Sequence, residues 1–446
     1  MTNKQWADMT REEKRAQRFK WYLEPEGVKF INAEAAENYK IRTRRLADVY
    51  HVREPDRVPV SLPVGATPAS LYGTDYYTCM YDYDKAAQTW DRFNQDFKDA
   101  DSMASPGMVM AAKAYDLLDY KLYKWPGHGL SKEAHGIQFV EGEYMKANEY
   151  DALILNPSDF WMRVYMPRVF GAFASWTGLP AFSSIIEGPA AHFTPYARPD
   201  IQASLKTLID VGNEMAKYTK MVGAYSRKIL EAGFPVARGA LAKAPFDTIG
   251  DTLRGTQGIF FDMYRQPDKL LEAIDVFTKL TIKAAVTSAN ANCGLAAMFP
   301  LHKGADGWMS DKQFQTFYWP SLKKVINALI DEGIMVTLFA EGSFDTRLDM
   351  VNEFPKGTVH WLFDRTDMAR AKIILGDRCC ISGNVPSSLL IMGTPEDVKN
   401  YCRKLIEDCG KGGGYILAGG AQVDSGKLEN FRAMLEAARE YGVYKK

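Results

Sequence analysis

Three residues of types that hold zinc occur at equal intervals in the second half of the chain. His302, Glu341 and Cys380 each stand in or beside a short apolar stretch that predicts a β-strand, and both intervals are 39 residues. An imidazole, a carboxylate and a thiolate can bind zinc and leave a fourth position open for a substrate. No local ligand motif accompanies them. The predicted zinc site therefore depends on elements that bring three distant strand ends together.

Glu341 ends the stretch VTLFAEGS, in which a strand-like run leads to a carboxylate and then a glycine. Strand residues alternate between two faces, so Glu341 shares its side with Thr337 and Phe339, and the other side suits packing against helices. This pattern predicts a catalytic carboxylate with Phe339 beside it as part of a substrate-binding wall. The alternative is structural, because the carboxylate could cap a helix that starts near Asp345.

The adjacent residues Cys379 and Cys380 cannot both face the interior of a barrel. Cys380 shares its side with Ser382 and Asn384, so it is the better candidate for a metal ligand or a reactive thiol. Asn384 is a candidate for substrate binding. The alternative is that the thiols are buried and behave as small hydrophobic side chains.

His302 is one of six histidines, and it follows a predicted strand. That position makes it a candidate for catalysis as well as for metal binding, and an exposed loop histidine is the alternative. His360 lies within a predicted strand and is expected to be a core histidine. Asp306 and Asp364 lie near predicted strand ends and could bind a metal or a substrate.

Aromatic residues make up 12% of the chain. Trp161, Phe182 and Trp308 are candidates for the wall of an apolar substrate pocket. Core packing is the alternative for all three, because large aromatic side chains are core material first.

The elements that must position these residues become regular after Pro199. A long helix is predicted over 201–232, and short apolar strands then alternate with amphipathic helices to the end of the chain. Five clear units of this kind, after less clear ones, predict an α/β fold of the (βα)8 TIM-type barrel class. Residues 1–50 are expected to form a helical extension, and residues 72–193 form a large irregular insertion. We interpret 1–446 as one domain.

The composition of the chain excludes several classes of function. Its 55 basic and 55 acidic residues cancel, so no basic surplus indicates nucleic acid or an anionic membrane as a partner. The charged N-terminal stretch has no signal-peptide core, and no run of eighteen apolar residues predicts a membrane span. Six sparse cysteines are typical of a reducing compartment, so a cytoplasmic protein is expected. A homodimer is compatible with the sequence.

The segment CISGNVPSSLLIMGTPEDVKNYCRKLIEDCGKGGGYILAGG, with the later Leu428-Glu429-Asn430, resembles the C-terminal part of the uroporphyrinogen decarboxylase superfamily. The stretches DRVPV and MSDKQFQTFYWPSLKKVI are also similar to that superfamily. The resemblance implies a βα barrel with one of two chemistries. One is metal-free decarboxylation of uroporphyrinogen, and the other is zinc-dependent methyl transfer in corrinoid systems, including anaerobic demethylation.

The sequence departs from the decarboxylase branch. The decarboxylase segment Met-Arg-Gln-Ala-Gly-Arg corresponds to SLPVGATPASLYG, which has no basic residue for substrate carboxylates. The acidic Phe-Ser-Asp motif corresponds to DADSMASPG. The late Gly-His-Gly segment corresponds to Gly419-Gly420-Ala421, without histidine.

The methyltransferase branch carries a His-x-Cys-Gly motif that corresponds to Phe339-Ala340-Glu341-Gly342, so Glu341 takes the place of a thiolate ligand. A later ligand cysteine falls near Gly420. The resemblance implies a methyltransferase that moves a methyl group between a small substrate, such as an aromatic methyl ether, and cobalamin on a partner corrinoid protein. A metal-free decarboxylase or lyase is the first alternative. A non-catalytic tetrapyrrole- or corrinoid-binding protein is the second.

Overall fold

The computed structural model describes residues 5–187, 190–236 and 239–445. Ten strands occur in chain order, β1 (Val60–Ser61), β2 (Tyr123–Pro126), β3 (Gly129–Leu130), β4 (Gln138–Phe139), β5 (Gly239–Leu241), β6 (Ala296–Leu301), β7 (Met335–Ala340), β8 (Val359–Phe363), β9 (Cys380–Val385) and β10 (Tyr415–Gly419). Seven of them form one sheet in the order β1-β10-β9-β8-β7-β6-β5. All its pairs are parallel. The predicted α/β, TIM-type fold class is confirmed, with seven strands of the parallel sheet formed in the described part of the chain.

The strands alternate with helices, as the sequence predicts. The α-helices are α1 (Arg11–Leu23), α2 (Ala33–Tyr50), α3 (Thr67–Leu71), α4 (Tyr76–Tyr81), α5 (Tyr83–Asp96), α6 (Ala112–Leu118), α7 (Tyr150–Leu155), α8 (Pro157–Phe160), α9 (Met166–Val169), α10 (Ala190–Phe193), α11 (Pro199–Glu231), α12 (Pro245–Asp247), α13 (Gly255–Arg265), α14 (Pro267–Ala291), α15 (Asp311–Gln313), α16 (Trp319–Asp331), α17 (Met368–Leu375), α18 (Ser387–Met392), α19 (Pro395–Cys409) and α20 (Leu428–Tyr441). Three π-helical turns interrupt them, at Trp161–Tyr165, Thr248–Arg254 and Phe314–Tyr318. Among the described residues, no helix is both long enough and apolar enough to cross a membrane.

Within the described ranges, no further strand pairs with β1 or β5 at the edges of the sheet, and a side chain replaces a strand beside β1. Asp101 is buried, and its Oδ2 atom accepts a hydrogen bond from the backbone N–H of Val60 at 2.8 Å. Arg57 donates to both Asp101 oxygens, and Arg45 donates to Oδ1. Two arginines thus compensate the buried charge, which gives this acid of the DADSMASPG stretch a structural role.

The helices α1 and α2 cover the amino-terminal ends of the strands. Arg18 of α1 donates to the carbonyl of Gly294, just before β6, at 2.7 Å. Leu46 and Val49 of α2 pack against Cys380 and Ile416, which lie at the starts of β9 and β10. The helical extension predicted for residues 1–50 therefore forms the base of the barrel.

The insertion predicted at 72–193 contains short helices and a small sheet in the order β3-β2-β4. Four of its buried aromatic residues, Trp90, Trp125, Phe173 and Trp176, lie in two small cores outside the main one. We call this region the cap.

The two faces of the seven-stranded sheet differ in burial. In β7, Val336, Leu338 and Ala340 are fully buried in the main core, on the face that the helices cover. On the other face, which we call the lumen face, Leu241 is 76% exposed and Met298 is 38% exposed. Exposed apolar side chains at the centre of a barrel leave room for an apolar ligand.

Candidate active site at the carboxyl ends of the strands

His302 and Glu341 lie side by side at the carboxyl ends of β6 and β7. The register pairs Leu301 with Ala340, so the next residue of each strand is also adjacent. His302 Nε2 lies 3.6 Å from Glu341 Oε1, and the two side chains are 34% and 42% exposed. Gly342 then adopts a φ of 79°, a left-handed conformation that turns the chain away directly after the carboxylate. Two of the predicted site residues are therefore brought together at the barrel mouth.

A buried carboxylate holds the other nitrogen of His302. Its Nδ1 atom lies 2.6 Å from Asp251 Oδ2, and the Asp251 side chain is 8% exposed. A carboxylate on Nδ1 fixes the orientation and the tautomer of an imidazole and leaves Nε2 for the substrate side. Asp251, His302 and Glu341 therefore form a continuous polar chain.

A second buried carboxylate, Asp247, fixes the backbone at the end of β6, beside these three side chains. Its oxygens accept hydrogen bonds from the backbone N–H groups of His302 and Lys303, each at 3.0 Å, and from the Tyr318 hydroxyl at 2.7 Å. Burial, together with the negative charge of Asp251, raises the pKa of Asp247 to about 6. Three donors to one buried group hold the end of β6 in place.

Two lysines neutralise Asp251. Lys243 Nζ lies 2.7 Å from Asp251 Oδ2, and Lys303 Nζ lies 3.1 Å from Asp251 Oδ1. Burial alone would raise the pKa of Asp251, but the hydrogen bond from His302 and the charge of Lys243 outweigh it and hold this pKa below its usual range. Asp251 is therefore ionised at neutral pH.

The pKa values of His302 and Glu341 are both raised. Burial alone would lower the pKa of His302, but the hydrogen bond to Asp251 and the nearby carboxylates outweigh it. Burial raises the pKa of Glu341, and the charges of Asp247, Asp251 and Asp364 add to this against the opposing charge of His302. Both shifts favour the protonated forms, an imidazolium that can donate a proton and a carboxyl group that can exchange one.

Asp247 and Asp251 are not among the site residues predicted from the sequence. They stand at the end of α12 and within the π-helical turn Thr248–Arg254, which directly follows β5 in the chain. π-Helical turns are rare and often occur at functional sites, because the wider turn redirects side chains. The available signal was the stretch PFDTIGD, which places two acids shortly after a strand.

The structure does not bring Cys380 to this site. Cys380 is the first residue of β9, in one row across the sheet with Thr337 and His360, and Glu341 lies four residues further along its strand. Four strand residues span about 13 Å. The thiol is fully buried against α2, and burial raises its pKa well above the usual value. A zinc site built from His302, Glu341 and Cys380 is therefore not assembled.

Other residues predicted for the site have structural roles. Burial in the main core raises the pKa of Cys379 to about 12, as its hydrophobic interpretation predicts. His360 is a core histidine as predicted: its Nε2 pairs with Ser382 Oγ at 2.7 Å, and burial lowers its pKa to about 4. Asn384 is buried and donates to the carbonyl of Thr366 at 2.8 Å, which fixes a loop.

The aspartates predicted near strand ends hold the loops of the mouth. Asp364 Oδ2 accepts the backbone N–H of Gly342 at 3.0 Å, directly beside Glu341. Asp306 Oδ2 accepts the Ser343 hydroxyl at 2.8 Å. Asp364 therefore supports the loop after β7 and contributes negative charge to the site.

The aromatic residues predicted to line one substrate pocket lie in separate parts of the structure. Phe339 lies on the lumen face, half-buried, and Trp308 lies near the site with its ring 5.1 Å from Lys303 Nζ. Trp161 packs against Phe277, with ring centroids 5.6 Å apart. Phe182 is half-exposed in the cap beside His192. No contact of the described residues joins Trp161 or Phe182 to His302.

Comparisons with known proteins identify the family of this chain. The profile of the family described as Uroporphyrinogen decarboxylase (URO-D) matches residues 185–441. A uroporphyrinogen decarboxylase of Syntrophotalea carbinolica is 26% identical over 158 residues, which cover 35% of this chain and 43% of that protein. One of Coxiella burnetii is 22% identical over 184 residues, 41% of this chain and 50% of that protein. The chain thus spans about half the length of these curated relatives.

Among solved structures, a methyltransferase from Methanosarcina mazei matches with a TM-score of 0.55 and 14% identity, over 90% of this chain and 98% of that one. At this identity the likeness is one of fold. The family profile, in contrast, covers more than half of the chain, and it includes both His302 and Glu341. This chain is a member of the uroporphyrinogen decarboxylase family.

Proposed function

We propose that the protein is a methyltransferase that moves a methyl group between an aromatic methyl ether and a corrinoid carried by a partner protein. The fold likeness to a methyltransferase and the absence of basic residues from SLPVGATPASLYG support this choice within the family. The observation that carries the proposal is the orientation of His302, with Nδ1 held by Asp251 and Nε2 directed to Glu341.

This geometry supplies the proton that ether cleavage requires. When the methyl–oxygen bond breaks, its electron pair stays on the oxygen, which must be protonated to leave as a phenol. The His302 imidazolium donates that proton from Nε2, and Asp251 stabilises the imidazolium until the transfer. The reduced corrinoid of the partner would supply the nucleophile that accepts the methyl group.

Glu341 assists His302 in the proposed reaction. Its carboxylate, 3.6 Å from His302 Nε2, orients the imidazole toward the lumen and accepts a proton from solvent between turnovers. Its raised pKa suits this exchange, because burial favours the protonated form of the carboxyl group that passes the proton on. Glu341 therefore returns His302 to its protonated form.

The chain's donor set fits the predicted zinc only in part. His302 Nε2 and Glu341 are two suitable ligands, and the Asp251 contact to Nδ1 is of the kind found behind metal-bound histidines. Catalytic zinc sites have three protein ligands, and Cys380 is too distant to be the third. Among the described residues, no three His, Cys, Asp or Glu side chains are grouped for a metal ion. The steps above therefore use only protein groups, and zinc remains a prediction.

Decarboxylation is the second candidate. An imidazolium and a carboxyl group with a raised pKa can also protonate the carbanion that remains after loss of carbon dioxide. The family profile favours it. The missing basic residues after β1 count against a polycarboxylate substrate.

One assay separates the two candidates. The purified protein is incubated with 4-methoxybenzoate and chemically reduced free cobalamin, and phenol formation and carbon dioxide release are both measured. We expect phenol that depends on the cobalamin, and roughly a hundredfold or larger loss with His302→Gln or Glu341→Gln. Glu440→Gln, a surface change on α20 at the ion pair with Lys399, is the matched control with activity near the unaltered protein.

Carbon dioxide release without phenol would overturn methyl transfer. Elemental analysis of the same samples measures zinc. Stoichiometric zinc that is lost in Glu341→Gln but kept in Glu440→Gln would establish the metal. If neither the unaltered protein nor Glu440→Gln binds zinc after reconstitution, the zinc prediction is wrong, and the methyl transfer proposal is unaffected.

A further inference from the structure

The lumen face is apolar and partly exposed at two levels below the mouth. At the upper level, Pro300 and Phe339 are neighbours in register and are both half-buried. At the lower level, Leu241 and Met298 are neighbours in register and are more exposed. Phe299, between the two levels in β6, is fully buried on the opposite face, as strand alternation requires. The other four side chains therefore form one apolar surface inside the barrel, which we call the lumen wall.

The lumen wall is charged only at its upper end. The strands β5 to β9, as the structure describes them, contain no Asp, Glu, Lys or Arg. Their one histidine, His360, is neutral at pH 7, because burial lowers its pKa to about 4. Its ring lies 5.8 Å from that of Tyr50 in α2, at the base of the barrel. The charged pair His302 and Glu341 stands above the wall, directly after the strands end.

The lumen wall extends further than one aromatic ring. Pro300 and Met298 precede His302 by two and four residues in the chain. At about 3.3 Å per residue, they lie about 7 and 13 Å along the strand from His302. A ring whose methyl ether meets His302 occupies the upper level. Only a substituent on the far side of that ring reaches the lower level.

We propose that Leu241 and Met298 determine specificity by binding an apolar substituent of the methyl donor. The substrate is then an aromatic methyl ether with an alkyl or alkenyl chain opposite the ether group. Its polar end lies at the charged mouth, and its chain leaves water for the lumen wall, which fixes its orientation. This inference rests on the proposed function for the identity of the reacting group. Binding of the chain can be tested without it.

The first test measures binding without turnover. Phenol, 4-ethylphenol and 4-propylphenol have no methyl ether to cleave, and each is titrated into the protein by calorimetry. Complete burial of one CH₂ group strengthens binding by a factor of about four. We therefore expect 4-propylphenol to bind at least tenfold more tightly than phenol, with 4-ethylphenol between them.

Two exposed aliphatic residues provide a matched pair of variants. Leu241 is 76% exposed on the lumen face, and Ile373 is 82% exposed on α17, so replacing either removes little core packing. Leu241→Asn should reduce the preference for 4-propylphenol at least threefold, and Met298→Gln should act in the same direction. Leu241→Met should retain the preference, and Ile373→Asn should leave it unchanged. Equal binding of phenol and 4-propylphenol, or a preference that survives Leu241→Asn, would overturn the proposal.

The second test measures turnover of 1-methoxy-4-propylbenzene and 4-methoxybenzyl alcohol with reduced cobalamin. The ratio of the two kcat/KM values should favour the propyl compound by tenfold or more, and Leu241→Asn should reduce it at least threefold, chiefly through KM. A purely structural leucine would instead lower kcat for both donors equally and leave their ratio unchanged, and that result would also refute the proposal. If neither donor reacts but the preference for 4-propylphenol depends on Leu241, the apolar site stands and the proposed function fails.

Discussion

His302 acts in its protonated form in the proposed reaction, and Asp251 keeps it protonated. Because the folded-state pKa of His302 is raised, activity is full at pH values below that pKa and is lost as the pH rises through it. Asp251→Asn removes the carboxylate, lowers the pKa of His302 and releases its tautomer. We expect the alkaline limb of the kcat profile to move to lower pH, with a loss of about a hundredfold at neutral pH.

The pH–rate profile measures this, and the chain offers a matched control. Asp116 lies 3.4 Å from His128 in an exposed aspartate–histidine pair of the cap. Asp116→Asn should leave the profile unchanged. An alkaline limb that stays in place in Asp251→Asn would mean that His302 is not the proton donor.

Asp247 should contribute more to stability than to chemistry. Asp247→Ala leaves two buried backbone N–H groups and the Tyr318 hydroxyl without their acceptor, and each lost partner costs about 1–3 kcal/mol. Tyr318→Phe removes one donor only and should cost about 1 kcal/mol. Urea unfolding gives both values. Equal losses in the two variants would contradict the three-donor arrangement.

At the scale of elements, the π-helical turn Thr248–Arg254 carries Asp251 and directly follows Asp247, and it is tightly packed. A Cβ atom at Gly250 would lie 2.8 Å from the buried stem of Lys303. Gly250→Ala should therefore displace Lys303 from Asp251 and cost about 1–3 kcal/mol of stability.

The control for this substitution is Gly223→Ala in α11, where an added Cβ meets nothing within 4 Å. There alanine should stabilise the helix by about 0.5–1 kcal/mol. Thermal unfolding of the two variants is the measurement. A stabilised Gly250→Ala protein would show that the turn accommodates the methyl group.

The elements around the site differ in how far the sequence predicts them. Ser310 begins a helix with a capping box, and Gly333 adopts a φ of 70° beyond the end of the next helix, both as their residue types predict. These signals are local. The depth of Cys380 in the barrel is not local, because alternation gives its face but only the strand register places it four residues below Glu341. The π-helical turn carries no periodic signal, so Asp251 could not be assigned.

At the scale of the whole molecule, the cap is attached to the barrel beside the site. Glu141, which follows β4, accepts a hydrogen bond from the backbone N–H of Thr256 at 2.6 Å and lies 3.8 Å from Lys303 Nζ. Glu143 pairs with Arg254. The same lysine thus contacts a cap residue and the carboxylate that holds His302.

Glu141→Gln should loosen this attachment. The amide keeps one acceptor but loses the charge that pairs with Lys303, so we expect faster proteolysis within residues 128–146 and a several-fold higher KM for the methyl donor. Limited proteolysis and initial rates measure the two effects. Glu133→Gln, an exposed change in the same region that contacts Ser131, is the control. Identical cleavage of both variants would indicate that Glu141 does not secure the cap.

The helices at the base of the barrel have a consequence for the order of events. Because α2 covers the starts of β9 and β10, we expect a small molecule that reacts at His302 to enter and leave at the carboxyl end of the barrel. In the proposed reaction, the corrinoid partner would approach through the same opening. The methyl donor would then bind before the partner, and the demethylated product would leave only after the partner has dissociated. Initial-rate kinetics should follow a compulsory order, in which excess partner slows turnover by trapping the product inside.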